Sequence, residues 1–337
     1  MKQSIAQMKV LVTGGAGYIG SHMVKYLIEK KCMVTVMDNL STGHLNAVQK
    51  CNFIEGDLAD QKLIEKVFLE TQFDAVFHFA AFSQVGESVM YPLEYFRNNV
   101  SNTANLLHVM KQAGVHHLVY SSSAAVYGIP SSISVSESDP TNPINPYGRS
   151  KLVVERLIED CSAASDLKAV CLRYFNAAGA DPQAGLGECH EPETHLIPLI
   201  LQVASGKKNK ITVYGDDYET PDGTCIRDYI HVRDLCEAHW LGLRHLMQNS
   251  NNYSIYNLGN GEGFSVLKII SCSREVTGKE IKSVFVKRRP GDPARLVANS
   301  SLARKELRWY PKHSDIKKII KDAWTWERIM ASAISKR

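Results

Sequence analysis

Residues 9–30 read KVLVTGGAGYIGSHMVKYLIEK, and the order of elements in this stretch decides the fold. The apolar run in KVLVT predicts a buried strand, and YIGSHMVKYLIEK carries its apolar residues at helical spacing. Between them Gly14, Gly17 and Gly20 give GxxGxxG, and Gly15, Gly17 and Gly20 also satisfy GxGxxG. Such a pattern is weak alone, but gains force when a strand precedes it and a helix follows. Glycine there tolerates positive φ and lets the backbone approach a pyrophosphate, whose charge the helix N-terminus favours. Gly14, Gly17, Tyr18, Ile19 and Gly20 are the first candidates for holding a dinucleotide.

Further strands are predicted in CMVTVM (32–37), CNFIEG (51–56), DAVFHFA (74–80), HLVYSS (117–122) and LKAVCLRYF (167–175). Helix-like stretches separate them: QKLIEKVFLE, the segment around 92–113, and GRSKLVVERLIED. Continuous apolar strands alternating with amphipathic helices indicate βαβ units and a buried parallel sheet. The expected fold is α/β: a Rossmann-type doubly wound parallel sheet over residues 8–175. After Phe175 the elements become shorter and irregularly spaced, and YGDDYETPDGT reads as too polar for a core element. A smaller mixed α/β substrate domain is expected over 176–337, with segments returning to the sheet and a cleft between the two.

Asp38 stands at the end of the second strand, eighteen residues beyond Gly20. A carboxylate there accepts hydrogen bonds from ribose hydroxyls and repels a 2′-phosphate, which selects NAD over NADP. Asn39 follows it, Asp57 and Leu58 close the third strand, and Phe79, Ala80 and Ala81 close the fourth. All fall at the carboxyl edge, where open α/β sheets bind ligands.

Composition narrows the partners. At 44% hydrophobic and 22% charged, the 337-residue chain is ordinary for a globular protein. A net charge of +4 without a basic block gives no nucleic-acid footprint. No apolar run reaches the roughly 18–20 residues that span a bilayer, so no membrane partner is expected. MKQSIAQ lacks the apolar core of a signal peptide and reads as a dispensable extension before Met8. Eight cysteines without a CxxC pair fit reduced thiols in a cytoplasm. Cys189, His190 and His195 lie near one another in sequence, but no second ligand cluster stands nearby, so no metal is expected.

The fifth strand ends in YSSSAAVYG, and at NPYGRSK (145–151) the chain turns into a helix after Pro143 and Pro146. Tyr147 and Lys151 are spaced i, i+4 at the start of a helix and so share one face. A free tyrosine has a pKa near 10, whereas a base at neutral pH wants one near 7. That difference is about 4 kcal/mol of preference for the phenolate. A lysine ammonium and the positive nicotinamide of NAD⁺ are expected to supply it together. Tyr147 and Lys151 are the candidate catalytic residues, and the serine run that ends the fifth strand lies at the same carboxyl edge.

TGGAGYIGSH, SSSAAVYG, YGRSK and RYFNAAGA together resemble the extended short-chain dehydrogenase/reductase family. GESV (86–89), DGTCIRDYIHV (222–232) and RPGDPA (289–294) make the chain similar to members that invert C4 of UDP-hexoses. The resemblance runs from about Met8 to near the C-terminus. It implies that Ser123 hydrogen-bonds the reacting sugar oxygen while Tyr147 takes the 4-hydroxyl proton. It also implies tightly bound NAD, a transient 4-keto sugar, and cofactor contacts from Asn98, Tyr147, Lys151 and Tyr174. The implied substrate set is Ser123, Tyr147, Asn176, His195, Leu196, Arg227, Tyr229, Arg289 and Asp292, with the two arginines on the diphosphate. A homodimer through the helices around Tyr95–Ala113 and Tyr147–Asp160 is implied as well.

Three positions depart from the pattern. Ser83 stands where some members carry a lysine, His195 where others have asparagine, and Leu296 where side-chain bulk admits or excludes a 2-N-acetyl group. UDP-N-acetylhexosamine epimerisation is therefore an alternative. A nucleotide-sugar 4,6-dehydratase would need an Asp-Glu pair after the strand-end serine, and here Ala124 and Ala125 stand there. A non-catalytic NAD sensor would be expected to have lost part of the Ser123, Tyr147 and Lys151 set.

Overall fold

The apolar runs of the first half form β1 (Lys9–Thr13), β2 (Met33–Asp38), β3 (Asn52–Glu55), β4 (Ala75–His78), β5 (His117–Ser123) and β6 (Lys168–Tyr174). A strand from the second half, β7 (Tyr253–Leu258), adds beside β6. The sheet order is β7-β6-β5-β4-β1-β2-β3, with every neighbouring pair parallel. The order reverses between β1 and β4, which is where a doubly wound sheet opens its ligand crevice. This computed structural model describes residues 7–48, 50–289 and 291–334; residues 1–6 of the expected extension and Pro290 of the RPGDPA motif lie outside them.

Both faces of the sheet are covered, as uninterrupted apolar strands require. Val10 and Val12 pack with Met23 and Leu27 of the helix Tyr18–Glu29 and with Leu235 and Leu243 of the helix Val232–Gln248. Leu11 points the other way, into a cluster with Ile64, Leu106, Val154 and Ile158. Each such aliphatic side chain, fully buried, contributes roughly 1.5–3 kcal/mol. The helix Pro146–Ala164 starts where it does because Pro146 suits the first helical position. The Asn145 side chain then accepts the Gly148 N–H at 2.8 Å.

The stretch around 92–113 is not one helix. It divides into Pro92–Phe96, a π-turn at Arg97–Ser101 and the helix Asn102–Gln112. Asn99, buried in the π-turn, donates to Phe82 O and Ser150 Oγ and accepts from Phe82 N–H. The extra residue per turn puts this asparagine beneath the wall while Asn98 faces the cavity.

A third core is formed by the second half of the chain. It joins Ile197 and Ile200 of the helix Leu196–Ala204, Ile269 and Ile270 of Val266–Thr277, and Ile319 and Ile320 of Ile316–Ile334. The strands here are short pairs: Asn176–Ala178 with Tyr229–His231, Ile211–Tyr214 with Ser283–Val286, and Ile226–Arg227 with Arg295–Leu296. The stretch YGDDYETPDGT corrects its reading as too polar for the core. Tyr214 ends a strand, Tyr218 is buried in the third core, and Thr224 is buried as well.

Candidate active site

A single cavity of about 1360 Å³ runs along the carboxyl edge of the sheet and into the second half of the chain. Every residue singled out from the sequence as catalytic, cofactor-binding or substrate-binding lines it.

At one end lies the glycine loop. Gly14 sits at φ +72°, and a Cβ there would meet Ala80 N at 2.5 Å; a Cβ on Gly20 would meet Gly14 O at 2.1 Å. These two glycines are demanded by the protein's own packing. Gly17 differs, because its Cβ would meet only Gly14 O, at an ordinary 3.4 Å, and would otherwise project into open cavity. Space kept clear of side chain at a helix N-terminus with no side-chain cap fits a pyrophosphate. Asp38 is buried at the end of β2, where it accepts Ala16 N–H at 2.9 Å and Leu40 N–H at 2.8 Å. Burial raises its pKa while these backbone bonds pull it down. It is a fixed acceptor with further lone pairs turned to the cavity wall. Asn39 donates to Asp57 at 2.7 Å, tying the ends of β2 and β3 together. This set fits NAD.

In the middle, β5 and β6 run in register so that Ser123 stands beside Tyr174. Tyr147 and Lys151 approach from the helix Pro146–Ala164. Lys151 Nζ donates to Ser121 O at 2.8 Å and lies 6.0 Å from the centre of the Tyr147 ring.

At the far end, the short strand pairs juxtapose residues distant in sequence. Tyr229 pairs with Asn176, and Arg227 with Leu296. Arg227 is held by Pro293 O at 2.8 Å and Asp292 at 3.3 Å, and the Arg289 guanidinium lies 3.9 Å over the Tyr214 ring. His195 caps the helix Leu196–Ala204, and its ring reaches Glu188 at 2.6 Å and Glu193 at 3.1 Å. Burial would push its pKa down, but the two carboxylates outweigh burial and raise it to about 10.

Residues 10–259 match the NAD dependent epimerase/dehydratase family. The chain belongs to this family. A UDP-glucose 4-epimerase of Halalkalibacterium halodurans is 50% identical over 321 residues, covering 95% of this chain and 96% of that one. Among solved structures, UDP-glucose 4-epimerase from Brucella ovis in complex with NAD superposes with a TM-score of 0.91 at 46% identity, covering 94% of this chain and 97% of that one. The enzyme from Bifidobacterium longum in complex with NAD⁺ and UDP gives a TM-score of 0.91 at 40% identity, covering 96% and 98%.

Within this family framework the Tyr147/Lys151 pair carries a burial cost that the sequence does not show. The lysine does not lower the phenol by itself. Burial raises the Tyr147 pKa, and only a hydrogen bond from Ser123 pulls it down. Burial likewise lowers Lys151 to about 7, opposed chiefly by the charge of Glu155. Both groups are buried, and desolvation is the largest influence on each.

Glu155 is a positioning residue that reading the motifs missed. It lies one turn beyond Lys151, continuing the i, i+4 row from Tyr147, and accepts from Ser122 Oγ and a forked Arg173 at 2.6–3.2 Å. The spacing in YGRSKLVVE was the available signal. Phe175, Lys208, Lys210 and Tyr214 also line the cavity without having been singled out. No local pattern marks them, because short strands and turns carry them to the wall.

Proposed function

We propose that this protein inverts C4 of a UDP-hexose, interconverting UDP-galactose and UDP-glucose through a transient 4-keto sugar, with NAD held throughout the cycle. The observation that carries this reading is the continuity of one cavity. It leads from the glycine loop past Ser123, Tyr147 and Lys151 to Arg227 and Arg289. NAD, when bound, would supply the hydride chemistry at C4.

The chain's own groups do the rest. Tyr147 takes the proton of the 4-hydroxyl and gives it back after inversion. Ser123 hydrogen-bonds the reacting oxygen and the phenol. Lys151, fixed to a carbonyl of β5, adds positive charge near the phenolate and would hold the nicotinamide ribose. Gly14, Gly17, Tyr18, Ile19 and Gly20 hold the pyrophosphate, Asp38 and Asn39 the adenosine ribose. Asp57, Leu58, Phe79, Ala80, Ala81, Asn98 and Tyr174 complete the cofactor wall. Arg227 and Arg289 grip the substrate diphosphate, where a guanidinium fork suits paired anionic oxygens. Asn176, the backbone of His195 and Leu196, Tyr229 and Asp292 orient the sugar and uridine. Ala124 and Ala125 offer no carboxylate for elimination, which disfavours a dehydratase.

Incubating the protein with UDP-galactose, without added NAD, tests the reading. The expected result is UDP-glucose without accumulating NADH. No conversion even with NAD supplied overturns it, and stoichiometric NADH makes the protein a net dehydrogenase. UDP-N-acetylgalactosamine in parallel reports what Leu296 admits beside Arg227. The same reading expects a cytoplasmic homodimer. All eight cysteines are free thiols, and Val153, exposed on the Pro146–Ala164 helix, offers an apolar contact. Light scattering of the purified protein at twice the chain mass is the expected outcome, and a monomer mass removes the dimer.

A further inference from the structure

Four side chains that the proposed chemistry does not use converge at the cavity wall. Glu188, His190, Glu193 and His195 each offer one ligand atom, and all four atoms lie within 4.8 Å of one another. Glu188 Oε1 is 2.6 Å from His195 Nδ1 and 3.2 Å from His190 Nδ1. Glu193 approaches the same two nitrogens at 3.1 and 3.8 Å. The glutamate side chains are only 6% and 5% exposed, so two negative charges are largely withdrawn from water. Buried carboxylates require compensation. One imidazolium offsets one of them, whereas a divalent cation offsets both and leaves the imidazoles to bind as neutral ligands.

The donor set has a definite preference. Two imidazole nitrogens with two carboxylate oxygens suit zinc and its neighbours, while magnesium and calcium favour all-oxygen sites. Tetrahedral zinc with bonds of about 2.0–2.1 Å separates its ligand atoms by about 3.4 Å. That value lies inside the 2.6–4.8 Å range of separations here. The frame is anchored as well. Glu188 O accepts Trp326 Nε1–H at 2.8 Å, and Cys189 O accepts a ring N–H of His44 at 2.8 Å.

We propose that Glu188, His190, Glu193 and His195 form a binding site for a divalent transition metal of the zinc class, which locks residues 188–195 onto the start of the helix Leu196–Ala204. The metal takes no part in the reaction at C4. Titrating chelator-treated holoenzyme with zinc chloride against a chromophoric indicator is expected to show one equivalent bound per chain. The melting temperature should rise with zinc and not with magnesium. His190→Gln and Glu193→Gln should each weaken uptake at least tenfold and remove the melting shift, with retained NAD content showing that the variants fold. Should either variant fail to fold, anomalous scattering at the zinc edge from wild-type crystals decides, with a peak expected among the four side chains. No uptake, uptake unchanged in both variants because thiols take the metal, or a peak elsewhere overturns the proposal.

Discussion

The glycine-loop end of the cavity is built from residues 14–20 in a row, closed by strand ends one crossover apart. The far end is built from Asn176, Tyr229, Arg227 and Leu296, which meet because two- and three-residue strands pair across long stretches of chain, with Arg289 placed outside any strand over the Tyr214 ring. The first arrangement is local, and its geometry follows from backbone sterics. The second is held by side-chain links such as Arg227 to Asp292 and by the third core beneath it. Damage at the first end should therefore appear in cofactor binding or in folding, and damage at the second in the substrate Michaelis constant. Between the two, the Tyr147–Lys151–Glu155 row should separate chemistry from stability.

The largest effect is expected from Tyr147→Phe. Losing the proton acceptor should cut kcat about a thousandfold, within the range known for general acid–base groups. NAD content should stay unchanged, because the phenylalanine keeps the ring; a loss of NAD instead would show that the hydroxyl itself holds the cofactor. Next comes Glu155→Ala, which leaves the buried Arg173 with the Tyr127 hydroxyl but without its carboxylate partner. Urea unfolding should show a loss of about 3 kcal/mol or more, and a variant as stable as the wild type would make the network dispensable.

Arg227→Met should raise the KM for UDP-galactose about tenfold to a hundredfold, the range of about 1.5–3 kcal/mol for a hydrogen bond to a charged group. NAD retention should be normal, so a shift in NAD affinity of similar size would erase the distinction between the two ends. At the cofactor end, Gly17→Ala should leave the melting temperature unchanged and weaken NAD binding about tenfold, or about 1.4 kcal/mol. Gly14→Ala should instead lower the melting temperature, because its Cβ meets backbone and its φ is positive.

The smallest effect concerns pH. Burial holds the folded Lys151 at about 7, below its unfolded value, so between those values the unfolded chain binds the extra proton. The cost of burying the lysine is full below pH 7 and declines as pH rises. Cofactor-free wild type should gain about 1 kcal/mol over Lys151→Met between pH 7 and pH 8 in denaturant titrations. Parallel stability curves would show that Lys151 stays charged in the folded protein.

Motif contiguity accounts for what could be read in advance. The parallel sheet, the glycine loop and the Tyr147/Lys151 spacing each occupy one short window whose apolar period or φ demand is visible residue by residue. Asn99 escaped because the π-turn that turns it inward depends on Phe82 and Ser150, which belong to other elements. Tyr218 escaped because polar neighbours mask its burial in the third core. Glu188 and Glu193 escaped as partners of His190 and His195 because a turn, rather than a helical or strand period, gathers them.

By itself the sequence determined the strand–glycine–helix start, the run of parallel strands and the i, i+4 spacing that puts Tyr147 and Lys151 on one helix face, since these follow from local periodicity. Tertiary structure alone decided the burial that raises Tyr147 and lowers Lys151, the pairing of Arg227 with Asp292, and the convergence of Glu188, His190, Glu193 and His195. Desolvation and distance are properties of the packed molecule. No window of sequence contains them.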